Sequence, residues 1–294
     1  MNYRIVHITE YDYSGLVGLC QNEARLKPRN LPNHQCLNSY LTINPMPKDF
    51  HERLDFFGNT VSYFSIQQPH EKLTITATSE ISISPELNIF EVSNTQAWEL
   101  VVQRLKGDRS AEIFDALQFT LDSPMAEASI DLRKYALGSF PPGAPLLRAV
   151  KNLMQRIFSD FTYDPGFTSI ATPLSEVLEH RRGVCQDFAH LAIACLRSLG
   201  LAARYVSGYI ETLPTEGQEK LIGADASHAW FSVYLPDAGW VDFDPTNNQM
   251  PMDKHITVAW GRDFTDVTPL KGVAYGGGEH KLNVSVDVRN LGGL

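Results

Sequence analysis

The sequence predicts an α+β protein: an N-terminal β-sandwich region over residues 1–93, then a helical layer packed on an antiparallel sheet over residues 94–294. Three observations carry this. Before about residue 92, short alternating runs are separated by proline, glycine and asparagine, and little has helical spacing. From Asn94 the apolar residues take up a helical period. Period two then returns, after an apolar helix, in His228-Ala229-Trp230-Phe231-Ser232-Val233-Tyr234-Leu235.

In chain order, residues 3–9, 35–43, 60–66, 73–78 and 81–84 alternate as strands. Pro28, Pro32, Asn44-Pro45-Met46-Pro47, Gly58-Asn59 and Pro69 break the chain between them. Short strands at this spacing favour a sandwich. No catalytic set stands out there, and His7, His34, His51 and His70 are expected at surface or edge positions. Asn94-Thr95-Gln96-Ala97-Trp98 reads as a helix start, followed by a stripe of Leu100, Val101 and Leu105. Residues 111–117, 126–137 and 146–158 read as further helices, with a Gly/Pro loop between the last two. A nearly all-apolar helix over 185–199 is a buried one, and Gly200 suits its left-handed C-terminal cap. The polar stretch 211–220 reads as a surface loop. The strand beginning at His228 turns at Pro236-Asp237-Ala238-Gly239 into Trp240-Val241-Asp242-Phe243-Asp244, which Pro245 ends. A strand over 256–260, a pairing of Arg262 with Asp263, a flexible Gly276-Gly277-Gly278 turn and a closing strand over 282–288 complete the chain.

The chemistry centres on Gly183-Val184-Cys185-Gln186-Asp187-Phe188-Ala189-His190. Cys185 sits where a helix starts, and unpaired N–H groups with the positive dipole end favour a thiolate. The hairpin downstream places His228 at the start of one strand and Asp244 at the end of its neighbour, and antiparallel pairing brings those ends together. A thiol nucleophile needs such a set: a base to hold the proton and a carboxylate to orient the base. Asp242 shares the strand face and rivals Asp244 for the third role. The backbone N–H of Cys185 is the natural first oxyanion donor, and no second one is evident. His190 reads as a polar contact in the helix's first turns. Cys20, Cys36 and Cys195 lack a helix-start setting with a base in view and read as structural.

Gly-Val-Cys-Gln-Asp-Phe-Ala-His, Ser-His-Ala-Trp and Trp-Val-Asp-Phe-Asp-Pro-Thr, in that order, resemble the core of the transglutaminase-like superfamily, a branch of the papain-like fold. The strings around Tyr163, Pro173 and Tyr205 resemble the flanks of that core in bacterial members, and Asp55-Phe56-Phe57-Gly58-Asn59 resembles part of their N-terminal β-domain. The resemblance implies Cys185 as nucleophile, His228 as base and acid, and Asp244, before Pro245-Thr246, as orienting residue. Trp230, Gln186 and Tyr163 are the expected substrate contacts. The papain string C-G-S-C-W is absent, which argues against a papain-type peptidase proper. No calcium-ligand cluster like that of animal members appears, so no metal or cofactor is expected.

Composition narrows the partners. With 43% hydrophobic and 20% charged residues the chain is globular in type. A net charge of -9 without basic clusters disfavours nucleic acid. No apolar run approaches the roughly 20 residues that span a bilayer. No signal-peptide pattern opens the sequence, so a cytoplasmic location is expected, where its cysteines would be free thiols. The leading expectation is acyl transfer or hydrolysis on a protein or peptide amide through a Cys185 thioester. The alternatives are a cysteine peptidase or amidase using water, and a non-catalytic binding module that keeps the fold.

Overall fold

The computed structural model describes residues 1–84, 95–169, 172–211, 227–236 and 238–292. The boundary expected at 93/94 and most of the loop expected over 211–220 fall outside these residues.

Strand β1, Asn2–Ala24, organises the first region. At 23 residues it is long enough to serve two sets of neighbours. Its first half pairs with β5 (His70–Ile83), which in turn pairs with β2 (His34–Asn44). Its second half pairs with β4 (Thr60–Ile66), which carries β3 (Asp49–Leu54) on its far edge. Register shifts between Asp12 and Val17 mark where β1 changes partners. Phe64 and Ile66 of β4 pack against Leu73, Ile75 and Ala77 of β5, with Val17 and Cys20 of β1, so the sheet folds over its own core. The two runs over 73–78 and 81–84 form one strand, and β3, whose residues are all exposed, had no apolar face to announce it.

Four helices follow: α1 (Trp98–Gly107), α2 (Ala111–Leu117), α3 (Ile130–Leu137) and α4 (Leu146–Asp160). The third starts four residues later than its composition suggests, at an N-cap Ser129 whose hydroxyl accepts from the Leu132 N–H at 3.2 Å. Two-residue strands β6 (Thr162–Tyr163) and β7 (Arg182–Gly183) pair in parallel on either side of α5 (Leu174–His180). Helix α6, Cys185–Ser198, is buried from Asp187 to Arg197. It ends in a Schellman motif: Leu201 N–H donates to Leu196 O and Gly200 N–H to Arg197 O, with Gly200 at φ 85°. Arg197, 4% exposed, donates to the carbonyls of Phe119, Ala203, Ala126 and Arg262 and to the Ser123 hydroxyl. One buried cation thus ties the helix to the 119–126 segment, to Ala203 and to Arg262.

Under α6 lies an antiparallel sheet in the order β10-β9-β8-β11: Gly239–Phe243, Ser227–Leu235, Ala203–Ile210 and His255–Gly261. Tyr205, Phe231 and Val233 belong to the core beneath the helix, and His190 of α6 stacks on Tyr205 at 4.8 Å. Arg204, Trp230 and Ser232 alternate onto the other face. Arg262 pairs with Asp266 at 2.9 Å, not with Asp263. Asp263 is instead the N-cap of α7 (Phe264–Val267), fully buried and accepting from the Thr265 and Met125 N–H groups.

The last two strands, β12 (Leu270–Gly276) and β13 (His280–Asn290), hydrogen-bond to the two halves of β1. Sequence order groups them with the second region, but their ladders lie in the first sheet. Gly276, Gly277 and Gly278, all at positive φ, make the turn between them. Three histidines expected at surface or edge positions are buried. His7 meets the Tyr209 hydroxyl at 2.9 Å, His34 donates to the His255 carbonyl at 2.8 Å, and His70 lies 3.9 Å from Cys20 Sγ. His51 is exposed.

Candidate active site

Cys185 is the first residue of α6 and half-buried. The residues around it build the helix start. Asp187 reaches back so that its Oδ2 accepts from the Val184 N–H at 2.8 Å and from the Thr168 hydroxyl at 2.7 Å. That leaves no room at position 183: a Cβ there would lie 2.9 Å from the same oxygen, which is why glycine precedes the string. Burial pushes the Asp187 carboxyl up, against both hydrogen bonds.

His228 enters from β9, 8% exposed. It pairs across the ladder with Gly208 of β8. A Cβ at 208 would lie 2.1 Å from the Ile256 carbonyl oxygen and 2.6 Å from the Trp230 ring, so the strands close here only because the position is bare. His228 Nε2 donates to Asp244 Oδ2 at 2.8 Å. Cys185 acts on the same imidazole, adding to the rise in its pKa. Burial works against the imidazolium, but Asp244 and Cys185 overcome it and raise the His228 pKa to about 10.

Asp244 is fully buried and saturated with donors. Its Oδ2 accepts from His228, from Asn247 Nδ2 at 2.7 Å and from His255 Nε2 at 2.9 Å. Its Oδ1 accepts from the Thr246 and Asn247 N–H groups, a turn that Asp-Pro-Thr-Asn sets locally. Burial raises its pKa, but the two imidazoles outweigh burial and hold the carboxyl well below the usual carboxylate range. Asp242 takes no part: its Oδ2 accepts from Trp230 Nε1 at 2.9 Å.

The structure thus brings Cys185, His228 and Asp244 together and adds His255, which the sequence reading missed. His255 is the first residue of β11 and His228 the second of β9, and that shared place near a strand start was the one available signal. The three expected substrate contacts divide. Tyr163 is 52% exposed and pairs with Gly183, two residues before the cysteine; its hydroxyl pKa is raised by burial and then by the charges of Cys185 and Asp187. Gln186 is half-buried on the first turn of α6. Trp230 is fully buried and offers a substrate no surface; it packs on His255 with ring centroids 5.1 Å apart. His190 accepts from the Phe264 N–H at 3.1 Å, and burial lowers its pKa to about 4. Cys20 and Cys195 are buried and Cys36 partly so, and all three are free thiols.

His228, Asp244 and His255 also place potential metal-ligand atoms within 4.8 Å of one another. Those atoms already satisfy each other through the two imidazole–carboxylate hydrogen bonds, at distances suited to N–H donation.

Residues 3–82 match the bacterial transglutaminase-like N-terminal region, and residues 139–245 match the transglutaminase-like superfamily core. The chain belongs to the transglutaminase-like superfamily, in its bacterial two-part form. An uncharacterised Mycobacterium tuberculosis protein is 44% identical over 294 residues, covering 97% of this chain and 92% of its own. A Cytophaga hutchinsonii crystal structure described as a candidate cysteine protease superposes with TM-score 0.75 at 21% identity, covering 100% of this chain and 91% of that one. A protein-glutamine gamma-glutamyltransferase of Pseudomonas aeruginosa is 27% identical over 107 residues, 34% of this chain and 16% of that protein. Among the described residues, no helix is long and apolar enough to cross a membrane.

Proposed function

We propose that this protein is a thiol-dependent acyltransferase or hydrolase acting on amides of proteins or peptides. One observation carries the reading: a half-buried cysteine at a helix N-terminus acts on an imidazole whose Nε2 is held by a fully buried carboxylate. In this reading the Cys185 thiolate attacks the amide carbonyl, and the carbonyl electron pair moves onto oxygen. The Cys185 backbone N–H is one donor to that oxyanion. As the tetrahedral species collapses, the C–N bond breaks, and His228 passes its proton to the leaving nitrogen. A thioester remains on Cys185. An amine or water then attacks it while His228 takes up a proton, and the thiolate leaves. Asp244 keeps the imidazole in the orientation and tautomer both steps need. Tyr163 and Gln186 are the proposed substrate contacts. On a glutamine carboxamide, the leaving group is ammonia and the product with an amine is a cross-link; with water it is a carboxylate. No metal or cofactor enters these steps. The free thiols fit a reducing, cytoplasmic setting.

The test offers glutamine-containing proteins a labelled primary amine and follows amine attachment, ammonia and new peptide ends separately. Cys185→Ala should lose all turnover, about 10⁴-fold or more. Turnover that survived this substitution would remove Cys185 from the mechanism. Attachment assigns the amine as acceptor, and cleaved peptide assigns water.

A further inference from the structure

The sheet that carries His228 has a second face. Opposite α6, that face looks into a cavity of about 950 Å³. Arg204, Trp240 and Trp260 project into it from three strands, Phe56 reaches it from the β3–β4 turn, and Phe119 and Lys151 reach it from the helical region. The volume is that of a small-molecule site, and its wall mixes Phe and Trp rings with charged groups of both signs, Arg204 and Lys151 beside Asp115 and Asp242. His255 also reaches this wall, but neither Cys185 nor His228 does.

The decisive side chain is Arg204. It is 8% exposed. Its guanidinium lies between two indoles, 4.3 Å from the Trp240 centroid and 3.8 Å from the Trp260 centroid. Arg29 stacks on Trp260 as well, at 3.6 Å. Stacking holds the guanidinium by its flat faces and leaves its N–H edges unspent. No hydrogen bond or ion pair joins those edges to any described residue, and Nε is buried without a partner. Contrast Arg197, equally buried on the neighbouring helix, whose donors are taken by four carbonyls and a hydroxyl. Asp242, which also lines the cavity, spends its Oδ2 on Trp230 Nε1. A buried cation whose donors go unused costs stability, so a structural role alone does not explain it. Two aromatic planes fixing a guanidinium edge-on to a cavity form a receptor for a planar oxyanion.

We propose that this cavity is a second ligand site, separate from the cysteine centre, that binds a small organic carboxylate with an apolar or aromatic body. The carboxylate would accept from the Arg204 N–H edge, and the body would lie against Trp240, Phe119 and Phe56. Charge-assisted hydrogen bonds of this kind separate an acid from its neutral isostere by about 10- to 100-fold in affinity.

Calorimetric titration of the full chain with 1-naphthaleneacetate and with its neutral amide, 1-naphthaleneacetamide, tests this. Phenylacetate and hexanoate extend the series to smaller and aliphatic bodies. The acid should bind at least about tenfold more tightly than the amide. Arg204→Met should remove that difference, and Cys185→Ala should keep it, since Cys185 does not line the cavity. Three results would overturn the proposal: equal binding of acid and amide, a difference that survives in Arg204→Met, or no binding by any of the acids up to about 10 mM. If Arg204→Met fails to fold, the acid-to-amide ratio in the parent chain decides. Because binding is read without turnover, the result stands apart from the fate of the thioester reading.

Discussion

At the scale of the residue, the site is set by competition between burial and partners. Asp244 is stripped of water, which alone would neutralise it, yet five hydrogen bonds keep it charged. His228 is raised for the complementary reason. In the proposed reaction the protonated imidazole is the acid that releases the leaving nitrogen, so activity should fall only where His228 loses its proton. The alkaline limb of the pH–rate profile should therefore lie far above the ordinary 6.5, towards about 10. Asp244→Asn should bring it down along with the rate, and a parent limb near 6.5 would contradict the assigned pairing. Stability follows from the same two groups. The His228 contribution is fully present below its unfolded value of 6.5 and is lost as pH rises through about 10. The Asp244 contribution is present above its unfolded value of 3.8 and is lost as pH falls through its depressed folded value. Melting temperature across pH should hence show its plateau between about 4 and 6.5 from this pair, and Asp244→Asn should flatten both shoulders.

At the scale of the element, three strands meet closely enough to place the imidazole only because position 208 is bare. Gly208→Ala puts a methyl group into the Ile256 carbonyl and the Trp230 ring. The expected cost is about 2–4 kcal/mol, since backbone as well as side chain must move. Chemical denaturation should show that loss. Cys185 alkylation should slow in the same variant, because β8 positions the partner of the thiol. Much of this element-level structure was legible beforehand. The cysteine helix starts and stops where its glycines suggest, and the hairpin from His228 to Asp244 forms as its alternation and Pro245 predict. Strand β3 was not legible, because both its faces are exposed and no period marks it. The start of α3 was misplaced because alanine and glutamate at 126–129 suit a helix, whereas Ser129 caps it.

At the scale of the whole molecule, the two regions are fastened to one another. The Asp-Phe-Phe-Gly-Asn turn is the clearest fastening. Asn59, fully buried, donates from Nδ2 to the Trp260 carbonyl at 2.9 Å and accepts at Oδ1 from the Trp260 N–H at 3.0 Å, pairing with the edge of β11 like one more strand residue. Asp55 holds the turn by accepting from the Phe57 and Asn59 N–H groups. Asn59→Ala leaves a buried donor and acceptor of β11 unpaired and should cost about 2–4 kcal/mol. Hydrogen exchange should show the loss concentrated at Trp260 and at Arg29, which also donates to Asn59. An unfolding transition unchanged in midpoint would mean the turn fastens nothing.

By itself the sequence determined what depends on near neighbours: helix and strand periods, the cap that presents Cys185, and the hairpin that pairs His228 with Asp244. Those features arise from side-chain spacing and turn chemistry within a few residues, so they can be read along the chain. Only the tertiary structure decided the rest: the return of β12 and β13 to β1, the second imidazole on Asp244, the burial of Trp230, and the place of Arg204 between two indoles, without a hydrogen bond to any described residue. Each of these joins residues far apart in the chain, or depends on which groups are left without partners once the strands are paired. No local pattern carries that information.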